Sequence, residues 1–362
     1  MNRISKTKDL RQKLLDKSIL KSFPKVEFHR HLEGTFSIEK LFEISIKNGL
    51  DIPKDYEVFK KQFQFPKNAE PDFFTFISKF KDNWFRSLED IYSVTYYSVK
   101  KFKNDGIFYI ELRFSPHYFA RFNHFDRKEV TRVLIEAANK AAREINIEIR
   151  FLITFSRRSQ TPIEMIELYD QISSLNLNEI VGVDLASYEK NYPPKKFIGV
   201  FNKIIKENNY KATIHAGEMT PPDYIWSAIK DLNASRIGHG TSVIYDKKLQ
   251  KYIKNHNIAL EQCITSNYLT GSWVNEKNHP FGKLFKKGIP VMLNSDDPSI
   301  QDSDLTDDYL KAIRYFDLTL DDLIKMNKTA IDSAFLPEKD KHNLHTKYLK
   351  QVNSFKEKYN LI

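Results

Sequence analysis

Val26-Glu27-Phe28-His29-Arg30-His31-Leu32-Glu33-Gly34 is the stretch on which the reading of the whole chain turns. Apolar Val26 and Phe28 precede a His-x-His pair and Gly34 ends the run, so the segment reads as a short strand. Side chains two apart on a strand face the same way, which brings the imidazoles of His29 and His31 close enough to share one ion. Two imidazoles do not close a metal site. The remaining ligands have to come from elsewhere, and a scaffold has to carry them to this point.

That scaffold is written in a rhythm that starts at residue 107, where short β-rich runs ending in polar residues alternate with amphipathic stretches. The runs are Ile107 to Ser115, Glu148 to Ser156, Glu179 to Ser187, Lys211 to Glu218, Arg236 to Gly240, Ile258 to Asn267 and Ile289 to Pro298; with the opening strand they make eight. Between them Arg127 to Arg143, Thr161 to Ile172, Pro194 to Lys206 and Tyr224 to Leu232 carry helical spacing of apolar residues. Eight strands alternating with helices is the arithmetic of an α/β fold of the (β/α)8 barrel type. Residues 1–22 read as a charged helical leader. Residues 35–105, with helical spacing over Ile38 to Ile46 and Asp72 to Phe80, read as a helical insertion over the barrel mouth. Leu305 to Phe316, Leu320 to Ser333 and Glu338 to Tyr359 close the outer ring. No Pro-, Gly- or Ser-rich linker interrupts the chain, so residues 1–362 are expected to form one domain.

Composition narrows the function classes. A chain of 362 residues with 41% hydrophobic and 13% aromatic residues has ample material for a large core. No apolar h-region or membrane-spanning run is present, which points to a cytoplasmic protein without membrane contact. The single cysteine, Cys263, excludes an internal disulfide and a Cys-rich zinc site. A net charge of +10 and a pI near 9.2 raise a nucleic-acid reading. The lysines, however, are scattered among polar and acidic residues, as in Ser5-Lys6-Thr7-Lys8-Asp9, so the reading is a solvated lysine surface and no nucleic-acid partner.

In such a barrel the catalytic groups come from the C-terminal ends of the strands. The polar residues fall there: His29 and His31 after the first run, His215 and Glu218 after the fifth, His239 after the sixth, Asp296 and Asp297 after the eighth. Three imidazoles and a carboxylate, His29, His31, His215 and Asp296, suit one Zn²⁺ with room for a water. Bound zinc lowers the pKa of such a water from roughly 15.7 to about 7 and makes a nucleophile at neutral pH. Glu218 is placed to donate a proton to substrate and retrieve one. His239, between Gly238 and Gly240, orients the nucleophile or serves as a fifth ligand. Asp297 is available to accept a hydrogen bond from substrate.

The runs PKVEFHRHLEG, YIELRFSPH, TIHAGE, RIGHG, TSNYLTG, NSDDP and SAFLPE resemble those of the adenosine deaminase family, in the same order from Lys25 to Lys341. The resemblance implies zinc-dependent hydrolytic deamination at purine C6, with adenosine and 2′-deoxyadenosine as substrates. It also implies Glu218 protonating N1, His239 positioning hydroxide and Asp297 meeting N7. It sets His31 beside the substrate, Glu33 at the ribose end, and Ser187 where a backbone N–H meets N3. The implied partner is a small-molecule purine nucleoside, and the implied state a monomer or weak homo-oligomer. Three positions depart from the family pattern: Glu33 where Asp is usual, Ser187 where Gly is usual, and Ile264 in place of a Pro. The extra methylene at Glu33 shifts its carboxylate by roughly one C–C bond, which makes adenine, or a modified adenine nucleoside, the alternative substrate.

Overall fold

The eight β-rich runs pair in chain order into one parallel sheet: β1 (Lys25–Glu27), β2 (Ile107–Phe114), β3 (Glu148–Ser156), β4 (Ile180–Ala186), β5 (Lys211–Ala216), β6 (Arg236–His239), β7 (Ala259–Gln262) and β8 (Val291–Leu293). The structure is a computed structural model and describes residues 10–208 and 210–361. Helices lie between successive strands, as a (β/α)8 barrel requires. A strand covered on both faces has no solvent side, so β2, IFYIELRF, is buried at every residue. One apolar cluster runs from Leu14 to Leu361.

The barrel closes between β1 and β8, and there side chains take over from the ladder. Asn294 Oδ1 accepts from Phe28 N (2.8 Å) and His29 N (3.1 Å). Asp296 N then donates to His29 O (2.8 Å), and His31 N donates to Asp296 O (3.0 Å). The strand expected from Val26 to Gly34 is therefore cut short at Glu27, because a side-chain oxygen occupies the next ladder position. The metal-ligand candidates His29, His31 and Asp296 all sit on this seam.

Two more expected strands end early. The run from Ile258 ends as a strand at Gln262, and a helix, Ile264–Leu269, takes up Thr265, Ser266 and Asn267. Asp308 accepts from Thr265 N (3.2 Å) and so satisfies an N–H that a helix start leaves open. After β8, Pro298 opens a short helix, Pro298–Gln301.

In the insertion between β1 and β2, the helices Ile38–Lys47, Tyr56–Phe63, Phe73–Ile77 and Leu88–Lys100 are each capped by a Ser or Asp side chain accepting from the third helical N–H. Phe73–Ile77 is shorter than the expected Asp72 to Phe80. Asp72 N donates to Leu269 O, Phe65 N to Ile300 O, and the rings of Phe73 and Phe74 pack on Tyr188 at 5.1 and 5.3 Å. These contacts tie the insertion to the chain following β4, β7 and β8. The leader is helical over 10–14 and again over Lys17–Lys21, with Asp16 capping the second piece; residues 1–9 lie outside the described residues. Among the described residues no helix is long and apolar enough to cross a membrane.

Candidate active site

Three histidine Nε2 atoms and one carboxylate converge at the seam. His31 Nε2 lies 3.3 Å from His215 Nε2, and Asp296 Oδ1 lies 3.4 Å from His29 Nε2 and 3.5 Å from His31 Nε2. Gly238 suits the crowding here, because a Cβ on it would lie 3.0 Å from His29 Cε1 and press on that ring. The other ring nitrogens of two of these histidines are fixed from beneath. His29 Nδ1 is 2.8 Å from Glu261 Oε2 and His215 Nδ1 is 2.9 Å from Asp184 Oδ1. Those carboxylates hold the protons on Nδ1, so the Nε2 lone pairs face one another. His29 Nε2 is buried and has no hydrogen-bond partner. Lone pairs packed together, one of them orphaned, with an ionised Asp296 beside them, fit a divalent cation with mixed N and O donors.

A second grouping, His29, His239, Cys263 and Asp296, also has its ligand atoms within 4.8 Å of one another. The one cysteine is thus at the site, buried behind it.

Glu218 lies just beyond β5, with Oε1 3.0 Å from Thr270 Oγ1 and Oε2 3.7 Å from His239 Nε2. Burial, then the nearby charges of Glu189 and Asp296, lift its carboxyl to about 8. Glu189 also holds the loop itself, accepting from Gly217 N (3.0 Å), Glu218 N (3.1 Å) and the Thr220 hydroxyl. His239 Nε2 is equally 3.7 Å from Asp296 Oδ2. Asp297 is pushed well above the usual carboxylate range by burial and by adjacent Asp296, and its Oδ1 is unpartnered. Gly34 leaves room for it, since a Cβ there would sit 1.9 Å from that oxygen. Glu33 accepts from Ser115 N (2.6 Å) through Oε1, keeps Oε2 buried without a partner, and is raised to about 7 by burial.

Three site residues sit in the left-handed region: His239 (φ 58), Asp296 (φ 62) and Ser187 (φ 79). For His and Asp this conformation is tolerated, and for Ser187 it explains why glycine suits the place better.

With this geometry in view, a family model described as adenosine deaminase matches residues 24–351. The chain belongs to the adenosine deaminase family. It is 32% identical over 331 residues to an adenosine deaminase of Aliivibrio fischeri, covering 90% of this chain and 98% of that one. Among solved structures, an adenine deaminase from Arthrobacter aurescens superposes with a TM-score of 0.83 at 22% identity, covering 91% of this chain and 99% of the other. An amidohydrolase from Burkholderia ambifaria with bound zinc gives 0.85 at 18% identity, covering 96% and 95%.

Of the residues singled out by sequence, His29, His31, His215, Asp296, Glu218 and His239 meet at one centre in this family member. Asp297 and Glu33 adjoin it, and Ser187 directly follows β4. Sequence reasoning passed over the groups that hold them: Asp184, Glu261 and Arg113 within the barrel, and Glu189, Asn267 and Thr270 around Glu218. For the first three a signal existed, a charged residue inside each otherwise apolar run.

Proposed function

We propose that the protein hydrolytically deaminates adenosine and 2′-deoxyadenosine to the inosine products and ammonia, as a purine-salvage enzyme of the cytoplasm, built as one domain and acting as a monomer or weak homo-oligomer. A single Zn²⁺ held by His29, His31, His215 and Asp296 would act as Lewis acid and lower the pKa of a water at the site. Glu218, raised to about 8, holds a proton at neutral pH and hands it to purine N1 as the ring accepts the nucleophile at C6. The carboxylate then takes the proton of the hydroxyl now bonded to C6 and passes it to the amino group, which leaves as ammonia while C6 becomes a carbonyl. His239, 3.7 Å from Glu218 Oε2, orients the nucleophile. Asp297, which burial and adjacent Asp296 push well above the usual carboxylate range, meets N7. His31, Glu33 and the Ser187 N–H complete the substrate contacts.

The observation carrying this reading is a buried Glu218 carboxyl, 3.7 Å from His239 Nε2, beside three facing histidine nitrogens in a member of this family. A second reading, adenine or a modified adenine nucleoside as substrate, is favoured by Glu33, one of whose oxygens is committed to Ser115 N while the other stays buried and free. Adenosine, deoxyadenosine and adenine assayed side by side, with metal content measured on the same sample, separate the two. Adenosine turnover by a zinc-bearing sample is expected; turnover of adenine alone would put the second reading first.

A further inference from the structure

We propose that His279 and Asn267 are positioning residues that keep the proton of His239 on Nε2, so that His239 enters the pocket as a hydrogen-bond donor and not as a metal ligand. The inference rests on the reaction centre proposed above, but its geometry stands apart from any turnover.

A backbone amide has a fixed polarity: its N–H can only donate. Phe281 N donates to His279 Nδ1 at 3.3 Å. A ring nitrogen that accepts carries no hydrogen, and a neutral imidazole has only one, so the proton of His279 is on Nε2. Burial, with Lys311 near, lowers the pKa of His279 to about 3, and the ring stays neutral. His279 Nε2 lies 3.1 Å from the Asn267 side-chain oxygen. The N–H there can be met only by an acceptor, which orients the amide of Asn267, itself completely buried. Its Nδ2 therefore faces the other way, 3.0 Å from His239 Nδ1 and 3.5 Å from Glu218 Oε1.

His239 Nδ1 thus accepts, and its proton sits on Nε2. That nitrogen faces Asp296 Oδ2 and Glu218 Oε2, each at 3.7 Å. A protonated nitrogen has no lone pair for a cation. Of the two ligand groupings, the one containing Cys263 then loses His239, while His29, His31 and His215 keep their lone pairs. Each link has one donor and one acceptor, so the polarity set at Phe281 runs without a break to the pocket.

The test reads the tautomer directly, by ¹⁵N NMR of the histidine side chains in the zinc-loaded protein, alongside kcat, KM and metal content. Wild type is expected to carry the His239 proton on Nε2. Asn267→Asp offers acceptors at both ends; it should move the proton to Nδ1 and lower kcat by about ten-fold or more, with KM changed far less. His279→Phe removes the donor and should act in the same direction, whereas His279→Gln keeps a donor and an acceptor and should restore most of kcat. Should His279→Phe fail to fold, Asn267→Asp and His279→Gln carry the comparison. An Nδ1 proton in wild type, or an Asn267→Asp protein with unchanged tautomer and kcat, would overturn the proposal. If adenine is turned over and adenosine is not, the substrate reading fails while the ¹⁵N spectrum still decides this one.

Discussion

The floor of the barrel and its rim both carry buried carboxyl groups, and Glu261 and Asp184 on the floor are driven opposite to Glu218, Glu33 and Asp297 on the rim. On the floor, Glu261 lies 2.7 Å from Arg113 and 2.7 Å from Arg236, while Asp184 lies 3.3 Å from Arg113 and Glu111 2.7 Å from Arg236. Burial alone would raise Glu261, yet these guanidinium groups hold it well below the usual range; for Asp184, His215 and Arg113 overcome burial in the same way. On the rim, Glu218, Glu33 and Asp297 have no such partners, and burial prevails: about 8, about 7 and well above the usual range. The arginines decide. Beneath the histidines Glu261 and Asp184 are held low and orient imidazoles; on the rim Asp296 is held low as well, by His29, while Glu218, Glu33 and Asp297 are pushed up.

The contrast breaks most visibly at Glu218. Glu218→Gln preserves shape but cannot cycle a proton, so kcat should fall by roughly 10²–10⁴-fold with metal content unchanged. A variant that turned over at near wild-type rate would take the proton-carrying role away from the rim. On the floor, Arg113→Met leaves Glu261 and Asp184 buried with less compensation. Breaking a buried pair from one side costs about 3–5 kcal/mol, which denaturant unfolding would register as a lower midpoint. A loss within about 0.5 kcal/mol, the size of an ordinary surface substitution, would mean that the floor charges are not mutually dependent. Glu261→Gln keeps an acceptor for His29 Nδ1 but not the charge. It should weaken metal binding by about 10–100-fold while leaving turnover at saturating metal largely intact.

These two regions were unequally legible in the sequence. The barrel could be read because apolar runs alternate with helical spacing, and because histidines stand at the polar ends of those runs. The ligand candidates follow from that arithmetic. What the rhythm hides is whatever depends on residues far away in the chain. Thr265-Ser266-Asn267 has no local reason to leave a strand; in the helix it forms, Asp308 accepts from Thr265 N, and Asn267 reaches both His239 and Glu218. The seam is closed by an Asn294 side chain, which no periodicity can announce. Nor does a carboxyl in a sequence reveal its protonation. Glu218 and Glu261 are the same residue type; Arg113, Arg236 and His29 beside Glu261, and Glu189 and Asp296 beside Glu218, separate their behaviour.

The smallest effect tests that separation without touching substrate or metal. Glu189 is one of the charges that raise Glu218, so replacing it by Gln should lower the Glu218 pKa. The proton on Glu218 is needed for donation to the ring and is lost as pH rises through its pKa, which sets an alkaline limb near 8 in wild type. In Glu189→Gln that limb should move to lower pH, with the plateau rate below it little changed. The loop has the means to survive the exchange. A Gln oxygen can keep the bond from Glu218 N, its amide can donate to Thr220 Oγ1 once that hydroxyl turns, and Gly217 N already lies 3.2 Å from the same Oγ1. A limb that stays in place would mean that burial alone sets the proton on Glu218, and a plateau that collapses would mean that Glu189 acts by holding the loop. A shift with the plateau intact leaves one account: a negative neighbour keeps the rim protonated, as positive neighbours keep the floor ionised.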